Sequence, residues 1–108
     1  MKNGLSHEEM AQIRAVLETV PSVDKAILFG SRAMGLARHN SDVDIMLCGN
    51  GLKIDDVAQI SSLLDDTTLP YQFDLLRYDV KNPALLEQVK RYGEIIYERG
   101  TGKKEDKH

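Results

Sequence analysis

Apolar residues recur along this chain with two different periods. Met10, Ile13, Leu17 and Val20 follow at intervals of three and four, which predicts one buried stripe of a helix. Ser6 and Glu9 just ahead of it match a capping box, and Pro21 and Ser22 close it. The run Ala26-Ile27-Leu28-Phe29 is short, unbroken and stopped by Gly30, so a buried strand is expected over about 25–29. A short helix at 31–36, containing Gly35, and a loop at 37–41 follow. Val43, Ile45 and Leu47 alternate along the next run and predict a strand over 42–48 with those three in a core. Gly49-Asn50-Gly51 marks a turn.

Val57, Ile60 and Leu64 give the inner edge of a helix over 54–64. Asp55 and Asp56 fall in its first turn, where carboxylates suit the helix dipole, and Asp65 to Thr68 reads as its exit turn. Pro70 precedes a third strand, 71–76, with Phe73 and Leu75 on one face and Asp74 on the other. Asn82-Pro83 starts a helix whose inner side is Leu85, Val89 and Tyr92, with Gly93 as its cap. Residues 94–97 read as a fourth short strand rather than a helical extension.

Strands alternating with helices place the chain in the α/β class, as a small mixed sheet with helices packed on it. Its 108 residues suit one domain, 1–100. Residues 101–108 hold no apolar anchor and are expected to be a disordered tail. There is no internal repeat. A net charge of −3 gives no basic footprint for long nucleic acid, so a nucleotide or a protein is the better partner. Cys48, the single cysteine, excludes an internal disulfide and reads as a small buried hydrophobe. The polar start and the lack of an apolar run near the ~18–20 residues a bilayer requires point away from membranes and to the cytoplasm.

Chemistry concentrates between Gly30 and Asp44. Gly30 and Ser31 stand where a strand turns into a helix, so free backbone N–H groups and the Ser31 hydroxyl can donate to a phosphate. Asp42 and Asp44, two apart at a strand start, point to one face with Cα atoms roughly 6.5–7 Å apart. Carboxylates that close repel unless a cation joins them, and Mg²⁺, which prefers oxygen ligands and substrate phosphates, fits. Asp74 is a lone acid in an apolar strand. Buried, it would require a metal or a cation; on an edge strand it would stand in solvent.

Asp79 is a fallback third acid but reads as a turn residue. Arg32 either adds charge at the phosphates or makes a structural ion pair. Arg38 and His39 either reach the substrate from their loop or face solvent. His7 reads as a surface residue, and His108 in the tail carries no weight. Tyr71, Tyr78, Tyr92 and Tyr97 either stack a base, form an interface or fill the core.

Gly30-Ser31, the ten residues Arg32 to Ser41, then Asp42-Val43-Asp44 resembles the signature of the nucleotidyltransferase superfamily that includes DNA polymerase beta. With so short a chain, it most resembles the minimal nucleotidyltransferases paired with helical HEPN-type proteins in toxin–antitoxin systems. The likeness covers about residues 23–97. It implies the nucleotidyltransferase fold in nearly its smallest form. It also implies Asp42, Asp44 and Asp74 as catalytic metal ligands for two Mg²⁺ ions, and Gly30, Ser31 and Arg32 as the nucleotide-binding residues. The donor would be a nucleoside triphosphate such as ATP, and the acceptor a tyrosine hydroxyl on the helical partner, which the modification silences. Docking without catalysis is the alternative. A second copy could complete the site, since little chain remains to clamp a base and an acceptor. Modification of a small molecule is a third reading, but relatives that do so carry an additional domain.

Overall fold

Ser6 accepts from the Glu9 backbone at 3.0 Å while Glu9 accepts from the Ser6 backbone at 2.9 Å, so the capping box starts the first helix where the sequence says. The computed structural model describes residues 3–36, 38, 41–78 and 82–99. Its elements are α1 (His7–Glu18), β1 (Lys25–Phe29), α2 (Gly30–Ala33), β2 (Val43–Cys48), α3 (Ile54–Asp65), β3 (Phe73–Arg77), α4 (Pro83–Tyr92) and β4 (Glu94–Glu98). The four strands form one mixed sheet in the order β3-β2-β1-β4. β1 runs antiparallel to both β2 and β4, while β2 and β3 are parallel and joined through α3, as a parallel pair requires a crossover.

Period-two alternation sorts the side chains onto two faces. Ala26, Leu28, Val43, Ile45 and Leu47 join Ile13 and Leu17 of α1 and Ile60 and Leu64 of α3 in the main core. The opposite face carries a smaller cluster: Phe29 and Met46 under Val89 of α4, with Ile27, Leu76 and Leu85 against them. The acidic positions Asp44 and Asp74 belong to this second face, because their neighbours in sequence point into the first.

The structure departs from the periodicity in a few places. α2 stops at Ala33, since Met34 caps it and Gly35 turns away with φ +77°. Tyr92, expected inside, is 46% exposed. Gly93 does cap α4, but at φ −61°, so its role is space rather than a left-handed turn. A Cβ there would run into the Val89 carbonyl oxygen and stand 2.8 Å from Ile27 Cγ2. Cys48 is half-buried, not enclosed. His39, Asp79 and the tail at 101–108 lie outside the described residues. Among the described residues no helix is long and apolar enough to cross a membrane.

Candidate active site

Phe29 ends β1 in an extended conformation and the chain turns at once into α2 through Gly30, whose φ is +77°. Only glycine enters that region without strain. The space its missing Cβ leaves is taken by Asp44: an added methyl would run into Asp44 Oδ2 and lie 3.0 Å from its Cγ. The Gly30 backbone and the Asp44 carboxylate are therefore close neighbours. The sheet imposes this, since Phe29 and Asp44 are cross-strand partners in the β1–β2 pair.

On its other side, Asp44 is the register partner of Asp74 across the parallel β2–β3 pair. Adjacent strands lie about 4.8 Å apart and partners point to the same face. The pairing continues below Val43, whose N–H donates to the Gln72 carbonyl at 2.9 Å. Val43 and Ile45 are fully buried in the main core, which leaves Asp44 for the opposite face, while Asp42 stands exposed just ahead of β2. The half-buried Asp44 carboxyl is held above its ordinary pKa, first by burial and then by the negative charges of Asp74 and Asp42, with Arg32 acting the other way. All three acids thus act on one electrostatic site.

One expectation needs correction. Asp74 is not buried: β3 is an edge strand, and the carboxylate is exposed. The desolvation argument for a metal partner therefore does not apply to it, whereas its register with Asp44 does. Among the described residues no three acidic, histidine or cysteine side chains gather into a group that could cage a metal ion. Mg²⁺ seldom uses such a cage; it keeps waters and takes one or two carboxylates together with substrate phosphates. Two acids in register, with a third close enough to raise the pKa between them, fit that habit.

Arg32 stands apart from the open turn. It is 1% exposed, and its Nη1 donates to the Asn3 carbonyl at 3.0 Å and its Nη2 to the Ser41 carbonyl at 2.8 Å. The guanidinium also lies over the Tyr71 ring, 4.7 Å from its centroid, and the Tyr71 hydroxyl donates to Glu9 Oε1 at 3.0 Å. Arg32 therefore holds the end of the loop next to Asp42, and its charge reaches Asp44 as a field. Asn3, Glu9 and Tyr71 were not picked out for this from the sequence; no spacing rule links positions so far apart. Arg38 is exposed, with its backbone N–H donating to Ser41 Oγ at 2.9 Å.

A minimal mixed sheet, with a glycine-serine turn laid on an acid that is paired in register with another, defines a nucleotidyltransferase fold. The profile of the polymerase beta nucleotidyltransferase family matches residues 11–101, and the chain belongs to that family. Solved structures agree on the fold. A chain of a toxin–antitoxin complex crystallised with AMP-PNP superposes with a TM-score of 0.69 at 23% identity, over 86% of this chain and 76% of that one. A chain of the MntA–HepT toxin–antitoxin complex gives 0.59 at 21% identity, over 94% and 78%. A chain of the Shewanella oneidensis complex of a tri-AMPylated HEPN toxin with its MNT antitoxin gives 0.61 at 20%, over 90% and 74%. No curated protein is similar enough in sequence to count as a match.

Proposed function

We propose that this chain is a magnesium-dependent nucleotidyltransferase that moves AMP from ATP to a hydroxyl of a helical HEPN-type partner, and so acts as an antitoxin. The register pair Asp44–Asp74, with Asp42 beside it and Gly30-Ser31 against it, is the observation that carries this reading. The nucleotide and the partner are suggested by the complexes that share the fold, one holding AMP-PNP and another an AMPylated HEPN toxin.

Asp42, Asp44 and Asp74 are the residues that would hold magnesium, two ions by the chemistry, which when bound neutralises charge on the reacting phosphoryl group and the departing pyrophosphate. The Ser31 hydroxyl and the backbone at the Gly30 turn donate to the β- and γ-phosphates. That fixes the triphosphate so that the α-phosphorus meets the acceptor oxygen in line with the leaving group. As the new P–O bond forms and the bond to pyrophosphate breaks, the acceptor hydroxyl loses its proton. We infer that Asp74, which is exposed and in register with Asp44, helps to take that proton. Arg32 is a positioning residue here, tying the Ser41 carbonyl next to Asp42.

The test is labelled ATP with Mg²⁺ and a HEPN-type helical protein as acceptor. Label is expected on the partner with the native chain and not with Asp42→Asn. An unlabelled partner, or label undiminished by the substitution, overturns the enzyme reading. An Asp42→Asn chain that still neutralises the partner points to docking alone.

A further inference from the structure

α4 covers only part of its sheet face. Leu85 and Val89 pack on Phe29, Met46 and Leu76, and on the side of α4 away from the acids the face stays open. There the structure leaves a groove of about 400 Å³ walled by Ile27, Val89, Tyr78 and Ile95, with Lys25 and Lys90 at its margin. Ile95 is 52% exposed and Tyr78 46%, although both side chains are large and apolar. Ile95 and Tyr78, both open to solvent at one groove, offer a contact surface. Lys25 sits at the far end of β1 from Phe29, so the groove lies roughly 13 Å along the strands from the acids.

Its occupant can be argued from charge and composition. Lys90 has no ion-pair partner among the described residues, and Lys25 faces Glu98 across the β1–β4 pair without a salt bridge to it. A second copy docked by its own groove would bring lysine towards lysine. The nine residues after Arg99 hold no apolar side chain and three lysines, so they suit neither the floor nor the rim. What fits is an amphipathic helix with an apolar stripe for Ile27, Ile95 and Tyr78 and acidic residues on its flanks for Lys25 and Lys90.

We propose that this groove is where the helical partner docks, through such an acid-flanked apolar helix. The proposal rests on the function argued above and names the surface that serves it. Groove and acids share one sheet face, separated by α4, whose width with side chains is about 10–12 Å. A partner seated in the groove reaches the acids past α4 along the same sheet face, so docking brings its hydroxyl towards Asp74.

The experiment measures binding of a HEPN-type helical protein to the native chain and to three variants. Ile95→Asp is expected to weaken binding at least tenfold, and Lys90→Glu several-fold with a shallower salt dependence. Ile54→Asp, equally apolar but 64% exposed at the start of α3, should bind as the native chain does. Binding of Mg²⁺ and AMP-PNP by Ile95→Asp alone should be unchanged, which separates lost docking from lost folding.

Native affinity in both groove variants overturns the groove and leaves the enzyme reading standing. Weakened binding in those variants, with no label transferred by the native complex, supports the groove and overturns the enzyme reading. A native chain that binds no helical partner overturns both. A native chain that is itself a dimer, dispersed by Ile95→Asp, assigns the groove to a second copy and overturns the proposal.

Discussion

Asp44 and Asp74 are register partners across the parallel junction of β2 and β3. Their alignment is set by residues that do no chemistry. Val43 and Ile45 of β2 are fully buried in the main core, and Phe73 and Leu75 of β3 pack against it. Slipping β3 by one residue would turn all its side chains over and send Asp74 to the α1–α3 face. Hydrophobic alternation on one face thus fixes the placing of acids on the other.

Replacing Asp44 should separate stability from activity. Folding raises this carboxyl's pKa, so its charged form opposes folding at neutral pH, and the penalty disappears as pH falls below the unfolded value of about 4. Asp44→Asn is expected to raise the thermal midpoint at pH 7.5, with the gain shrinking to nothing near pH 3.5. Transferase activity should fall at least about a hundredfold. Adding Mg²⁺ with AMP-PNP should raise the midpoint of the native chain and not that of the variant, as ligand linkage requires. Thermal scans across pH check all three.

Gly30→Ala tests the contact between turn and acid. The backbone at φ +77° costs an alanine about 1–2 kcal/mol. The new methyl also collides with the end of the Asp44 side chain, which swings aside more cheaply than backbone moves. Stability should therefore drop by only about 1–3 kcal/mol while activity drops far more. Urea unfolding beside a transfer assay reads the two effects apart.

Arg32→Ala should be a folding mutation first. It removes a 1% exposed side chain, leaves the Asn3 and Ser41 carbonyls without its donors and strips the cation from the Tyr71 ring. A loss of about 2–4 kcal/mol is expected in urea unfolding. Arg32→Lys should recover only part of it, because one ammonium cannot bridge two carbonyls and lie flat on a ring.

The α1 cap should show in the acid limb. Glu9 is held below its ordinary pKa, chiefly by the Ser6 backbone N–H and also by the Tyr71 hydroxyl. Its contribution is therefore present above the unfolded value of about 4.3 and is lost as pH falls through the lower folded value. Glu9→Gln should be less stable than the native chain at pH 7, and the difference should close as pH falls below the lowered folded value. Tyr71→Phe, which loses only the hydroxyl bond, should cost about 0.5–1.5 kcal/mol at neutral pH. Both are read from thermal midpoints against pH.

Local chemistry made much of this protein legible from its sequence. The capping box set the start of α1, the apolar run stopped by Gly30 set β1, and Asn82-Pro83 set the start of α4, because each depends on atoms a few residues apart. The spacing from Gly30-Ser31 to Asp42 and Asp44 was equally readable, since a single stretch of α2, its loop and the start of β2 contains it. That Asp74 stands beside Asp44 was expected only through the family resemblance, because residue pattern alone does not give strand order and register over thirty positions. Nor does it give the Arg32 partners Asn3 and Tyr71, which only folding brings near, or the exposure of Asp74, which follows from β3 lying at an edge. Sequence determined which residues can turn, cap and carry charge. The tertiary structure decided which of them meet, because register and burial are properties of the assembled sheet and not of any stretch within it.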